Sequence, residues 1–368
     1  MAALQVPFLD LRVLDEGERA DLLAAMAAVL DHGRLILGPE VQELERRFAM
    51  EIGRSHAIGV GSGTDALILA LKALGIGPGD EVVTTPLSFV ATANAIALAG
   101  AQPVFADIGD DLNLDAGTIE PLLSERTRAI LAVHWAGTIC RMEAILPIAA
   151  RHGLFVVEDC AQSFGATRGG RPAGSFGDVG CFSMNSMKGL ASLGEAGMVA
   201  TDQASLHETL RALRYNGMVD RETCKYVSHN GRLQTLQAAA LLVRLDRYRA
   251  RRAARRATAA YYTERLAGVV ETPRSDAGAE SAYSTYTIRT DRRDALKAFL
   301  AERGIESQVQ HAPLMPEQAP YIGSRAHFPN ARRLIGKVLC LPASEKISQA
   351  QRERVADAVL EFFGARGS

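Results

Sequence analysis

Apolar residues recur at helical spacing near the start of the chain. Leu22, Leu23, Met26, Val29 and Leu30 stand three and four positions apart within residues 16–51. Gly33 can end this first helix in a left-handed turn. Pro39 can open a second one, running through Val41, Leu44 and Phe48 to Gly53. From His56 the pattern shortens. Apolar runs at 57–60, 81–85, 103–106, 129–133 and 154–157 read as strands, and 66–74, 91–99 and 141–151 between them read as helices. Leu154-Phe155-Val156-Val157 is apolar at every position, as a strand buried on both faces should be. Two further apolar runs, 179–182 and 196–200, enclose a loop of small residues. Repeated strand–helix units predict an α/β fold with a mostly parallel sheet flanked by helices.

The pattern changes after about residue 204. A helix is expected over 204–215 and a long one from Leu233 to Leu266. Residues 273–284 read as a loop, 286–289 as a strand, and 294–303 and 349–363 as helices. The chain thus divides into a large domain, 1–245, and a long linking helix with a small C-terminal α+β domain, 246–368. The long helix carries Arg244, Arg247, Arg249, Arg251, Arg252, Arg255 and Arg256. Such a charge run reads as a solvated face. The alternative is contact with a pyrophosphate, whose oxygens suit guanidinium geometry.

The length, 368 residues, supports two domains with a sizeable core. A net charge of −1 gives no field to recruit nucleic acid or an acidic membrane surface. No apolar run approaches the roughly 20 residues of a membrane span, and the first residues lack a signal-peptide pattern. The five cysteines include no Cys-x-x-Cys, and Cys160, Cys181 and Cys340 sit beside apolar runs as small buried hydrophobes do. The reading is a cytoplasmic protein without disulfides or a metal.

The candidate chemistry lies between the strands and helices. Gly61-Ser62-Gly63-Thr64 follows a strand and starts a helix, where free N–H groups and the helix dipole favour an anion. Gly61 to Ala66 also fits a loose dinucleotide fingerprint. The acid expected at the end of the next strand is missing, because that strand ends Thr84-Thr85-Pro86. A phosphate site fits better; a plain turn capped by Thr64 is the bland alternative. Phe89 by itself reads as core, or as a face for a flat heteroaromatic ring. Glu158 and Asp159 close the buried strand, at the end where α/β folds bind ligands. A buried carboxylate there needs a cation, such as a protonated pyridine nitrogen or an internal salt-bridge partner. His134 ends another strand and reads equally as a satisfied structural histidine. Lys188 stands in the small-residue loop, where a desolvated amine can form a Schiff base. Phosphate loop, aromatic, strand-end aspartate, Ser183 and then Lys188 is the ordered set that pyridoxal phosphate requires.

On these residues the chain resembles the DegT/DnrJ/EryC1/StrS sugar aminotransferases, a branch of the fold-type I pyridoxal-phosphate enzymes. The matching runs include Gly61 to Leu67, Leu74 to Val82, Gly100 to Asp107, Glu158 to Gln162, Gly174 to Asp178, Cys181 to Ser183 with Lys188, and Asn230 to Leu233. The resemblance implies pyridoxal 5'-phosphate as cofactor and Lys188 as the Schiff-base lysine and proton shuttle. It implies Asp159 against the pyridine nitrogen, Gln162 near the ring hydroxyl and Phe89 stacked on the ring. Gly63, Thr64 and Ser183 would hold the phosphate. Asn230 would reach the phosphate of a neighbouring subunit, in a homodimer with shared sites. The substrates implied are a nucleotide-linked keto-sugar and an amino-acid donor, glutamate.

Three positions depart from the family pattern: Gly189 where Asn is common, Trp135-Ala136-Gly137 where Leu-Tyr-Gly is common, and His229 where Tyr is common. They surround the substrate side. The alternatives are a pyridoxal-phosphate-dependent sugar dehydratase, in which histidine replaces the lysine, a nicotinamide-dependent sugar oxidoreductase, and a cofactor-binding regulator.

Overall fold

The computed structural model describes residues 6–274, 276–323 and 327–365. Its helices are α1 (Glu16–His32), α2 (Pro39–Ile52), α3 (Gly63–Ala73), α4 (Ala91–Leu98), α5 (Met142–His152), α6 (Ala204–Leu213), α7 (Thr235–Arg265), α8 (Arg293–Glu302), α9 (Pro329–Ile335) and α10 (Gln349–Phe362). The strands are β1 (His56–Val60), β2 (Glu81–Thr84), β3 (Gln102–Phe105), β4 (Thr127–Val133), β5 (Phe155–Asp159), β6 (Thr167–Arg168), β7 (Arg171–Pro172), β8 (Val179–Ser183), β9 (Gly197–Thr201), β10 (Ala279–Glu280), β11 (Tyr286–Arg289) and β12 (Val338–Leu341).

Seven strands form the central sheet in the order β1-β9-β8-β5-β4-β2-β3. Neighbours from β3 to β8 are parallel, and β9 runs antiparallel to both β8 and β1. The exception has a local cause. Strands β8 and β9 are joined by the loop of residues 184–196, which holds no crossover helix to return the chain to a parallel start. Two cores cover the faces. Val41, Leu44 and Phe48 of α2, Met142 and Ile145 of α5 and Leu241 of α7 fill one. Leu67 to Leu71 of α3, Ile96 of α4 and Leu206 and Leu210 of α6 fill the other.

The C-terminal part pairs β11 with β12 and packs α8, α10 and the end of α7 over them. Val6 joins that core, and its backbone bonds Gly304 and Glu306. The 245/246 boundary expected from sequence falls inside the continuous α7. A further core binds the two parts: Leu87, Phe105 and Trp135 pack with Leu314, Phe328 and Leu334. Asp107, after β3, accepts the N–H groups of Asn330 and Ala331 and so caps α9 from the sheet side.

The structure corrects several sequence readings. α3 begins at Gly63 rather than at 66, because the side chain of Ser62 accepts the N–H of Asp65 and caps the helix there; Thr64 lies inside it. Leu23 and Leu30 of α1 are exposed, so its buried apolar contact is through Leu22 and Val29. Phe155 is partly exposed at the start of β5, and burial on both faces begins at Val156. α9 and β12 were not expected as elements.

The arginines of α7 are largely neither a solvated face nor free for a pyrophosphate. Arg244 and Arg251 both bind Glu18 of α1, which is itself buried. Burial opposes ionisation of Glu18, but the two guanidinium groups hold its carboxyl below the usual range. Arg247 pairs with Asp21, Arg255 with Glu345 and Arg256 with Glu280, and Arg252 donates to the carbonyl of Gly165. The acids lie on α1, on β10 and in the loop that carries Glu345, and hydropathy along α7 cannot reveal them.

Candidate active site

The sheet brings together residues more than a hundred positions apart. Gly63 and Ser183 abut: a Cβ added to Gly63 would lie 2.5 Å from the Cβ of Ser183. Gly63 and Thr64 are the first two residues of α3, whose N–H groups have no partner within the helix. Beside them lie the end of β8 and the start of β9, where a Cβ on Gly197 would meet the carbonyl of Ser62 at 2.2 Å. The result is a cradle of backbone and small side chains at a helix N-terminus, suited to a phosphate.

Asp159 ends β5 at the same edge of the sheet and is 5% exposed. Burial pushes its carboxyl above the usual range, against the N–H of Ala161, the Thr92 hydroxyl and the charge of Lys188. Its neighbour Glu158 is wholly buried and points the other way. Glu158 accepts from Gly174, Phe176, Gly177 and His134, which outweigh the cost of burial and hold it below the usual range. Only Asp159 is therefore left to face a ligand.

Lys188 lies in a cleft with Gln162, Ser183, Gly189, Tyr248 and Arg255. Desolvation lowers the pKa of its amine, with the charges of Asp159 and Glu195 acting in the opposite sense. The loop is pinned from below: Arg244 donates to the carbonyls of Ala191 and Ser192 at 2.8 and 3.0 Å. An amine that sheds its proton readily, fixed on a rigid loop, suits Schiff-base chemistry.

Phe89 is 63% exposed, which overturns the core reading and leaves its ring as a free face. It stands 6.3 Å from the ring of His311, which lies as far from Trp135. Gln162 accepts the N–H of Ala136 on Oε1 and places Nε2 3.5 Å from Nε2 of His311. Burial and the nearby Lys188 charge lower the His311 pKa to about 4. His311 and Ala136 both adopt left-handed backbone angles, φ 60° and 56°, unusual for residues with a Cβ.

Sequence reasoning missed His311 because it arrives from the C-terminal part in a segment without periodicity. It missed Thr92 because it reads as an ordinary helix residue, and it did not single out Arg255 from the arginine run of the long helix. His134 resolves as structural: it is fully buried, Nδ1 accepts the N–H of Cys140, and Nε2 meets Glu158 at 2.8 Å. Asn230 does not join the cleft. It is exposed, and its amide oxygen accepts from Arg232. The adjoining Gly231 carbonyl accepts the N–H of Gly61, and His229 meets Asp65 at 2.8 Å.

A model of the DegT/DnrJ/EryC1/StrS aminotransferase family matches residues 16–360. The chain belongs to this family. It is 39% identical to the dTDP-3-amino-3,4,6-trideoxy-alpha-D-glucose transaminase of Streptomyces venezuelae, over 97% of this chain and 96% of that one. It is 38% identical to the UDP-N-acetyl-3-dehydro-alpha-D-glucosamine 3-aminotransferase of Acidithiobacillus ferrooxidans, over 96% and 97%. Among solved structures, S. venezuelae DesV in complex with a ketimine intermediate superposes with a TM-score of 0.95 at 38% identity, covering 98% of this chain and 99% of that one. This DegT-family chain is an aminotransferase dependent on pyridoxal phosphate. The residues present fit that group: a cradle that any side chain at Gly63 would fill, a buried carboxylate in need of a cation, and a lysine whose amine burial pushes below its ordinary pKa. No described helix is long and apolar enough to cross a membrane.

Proposed function

We propose that this enzyme moves the amino group of an amino acid, glutamate, onto the keto carbon at position 3 of a nucleotide-linked sugar. The nearness of the buried Asp159 carboxylate to the desolvated Lys188 amine, each acting on the other's charge, carries the chemistry. The sugar is supported by the two relatives, whose names specify 3-amino or 3-keto sugars on dTDP and UDP. Bound pyridoxal phosphate supplies an electron sink for charge developing at the donor Cα. Gly63, Thr64 and Ser183 hold its phosphate, Phe89 covers its ring and Gln162 reaches its hydroxyl. Asp159 keeps the ring nitrogen positive. Lys188 Nζ carries the proton away from the donor Cα and returns one to the sugar carbon in the second half of the cycle.

The working unit is a dimer in which Asn230, exposed beside its own phosphate loop, serves the neighbour's site. The enzyme works in the cytoplasm, where its five unpaired cysteines stay reduced. Incubating 3-keto-sugar nucleotides with glutamate, and reading amination by mass spectrometry, tests the reaction. Borohydride treatment of the yellow holoenzyme with peptide mapping tests the lysine; a label away from Lys188 removes it from this role.

A further inference from the structure

The wall of the lysine cleft contains a guanidinium. Arg255 of α7 lines the cleft beside Gly189 and Tyr248 and is 7% exposed. Glu345 accepts its Nε and Nη2 groups through one oxygen, at 2.9 and 2.7 Å. Among the described residues no protein acceptor takes Nη1. That nitrogen stands 3.1 Å from where a Cβ at Gly189 would lie, immediately after Lys188 in the chain. Gly189 is not among the left-handed glycines, so its backbone does not demand glycine. The missing side chain instead leaves room for the guanidinium. Tyr248 does not compete for the space, since its hydroxyl donates to the carbonyl of Phe164.

An amino donor that reacts beside Lys188 carries a carboxylate on the carbon that bears its amine. Burying that charge requires a cation with N–H groups to spare. The phosphate cradle at Gly63 and Ser183 lies on the sheet side of the cleft. Arg255 lies on the α7 side, next to the residue that follows the lysine. We propose that Nη1 of Arg255 receives a carboxylate oxygen of the amino donor, and that Gly189 is the gap that admits it. Glu345 holds the other edge of the guanidinium and so aims Nη1 without neutralising it fully. This rests on the aminotransferase reading and adds the donor subsite to it. An anion in the cleft could also be the phosphate of a nucleotide sugar, so the test separates the two.

Glutarate, a dicarboxylate that cannot react, is titrated calorimetrically into the holoenzyme, and UDP is titrated in parallel. Losing a hydrogen bond to a charged group weakens binding on the order of tens-fold. Arg255→Gln is expected to weaken glutarate by that factor. Gly189→Val, which fills the gap beside Nη1 and removes neither partner of the Arg255–Glu345 pair, should act in the same direction. UDP binding should be unchanged in both. The KM for glutamate should rise with the glutarate constant, and kcat should fall less. Unchanged glutarate binding in Gly189→Val, or weakened UDP with intact glutarate, overturns the proposal while wild type still consumes glutamate. If wild-type holoenzyme converts no amino acid, the aminotransferase reading fails first.

Discussion

The hydroxyl of Thr92 donates a 2.9 Å hydrogen bond to Oδ2 of Asp159, while the N–H of Ala161 donates to Oδ1 at 3.1 Å. Both oxygens of a buried carboxylate are thereby fixed in direction. Thr92 comes from α4 and Ala161 from the turn after β5, so the acid is clamped between two elements. Ser88 extends the chain, its hydroxyl 2.9 Å from that of Thr92. The clamp orients the charge, and two neutral donors do not cancel it.

Asp159→Asn should therefore lose far more rate than Asp159→Glu. The amide keeps the shape and the Thr92 contact but cannot hold a positive ring nitrogen. Preorganised charge at a reacting centre is worth orders of magnitude, so kcat should fall by roughly a hundredfold or more for the amide. Equal steady-state kinetics for Asn and wild type would remove Asp159 from the mechanism.

His311 should make the protein sensitive to acid. Its folded pKa of about 4 lies below the ordinary 6.5, so between these values the unfolded chain takes up a proton that the folded chain refuses. Stability then rises with pH through this window and is lost on acidification. At pH 5 the loss from this group is about 2 kcal/mol. Urea unfolding of wild type and His311→Asn at pH 7 and pH 5 checks it: the variant should show the smaller drop.

Arg244→Met should unfasten the lysine loop. The substitution strands the carbonyls of Ala191 and Ser192 and leaves buried Glu18 with Arg251 alone. Breaking a buried charge network by removing one partner costs about 3 kcal/mol. Thermal unfolding should fall accordingly, and borohydride trapping at Lys188 should slow. The same change at Arg247, whose pair with Asp21 is exposed, should cost under about 1 kcal/mol.

Mixing inactive variants tests the shared site. If Asn230 serves the neighbouring subunit, a mixed dimer of Lys188→Ala and Asn230→Ala gathers both lesions in one site and leaves the other whole. Activity should then exceed that of either parent after subunit exchange. If Asn230 serves its own subunit, each site keeps one lesion and no activity returns.

The sequence by itself determined the local elements and the order of the chemistry. Strands at β4 and β5 were legible as short unbroken apolar runs, and helices at α2 and α5 as apolar residues at helical spacing closed by Gly53 and Gly153. The positions of Asp159, Ser183 and Gly63 were legible because each sits at a strand end or a helix start, which the βα rhythm marks, and Lys188 stood out as the long cation in the small-residue loop between two apolar runs. What the period of hydropathy does not contain is which surfaces meet. Only the tertiary structure decided that the arginines of α7 turn inward to Glu18 and Glu345, that Phe89 stands free, that β9 runs against its neighbours, and that His311 from the C-terminal part comes to lie beside Gln162 and near the Lys188 charge. These are contacts between residues distant in sequence, and such contacts are fixed by burial and charge pairing once the elements have packed.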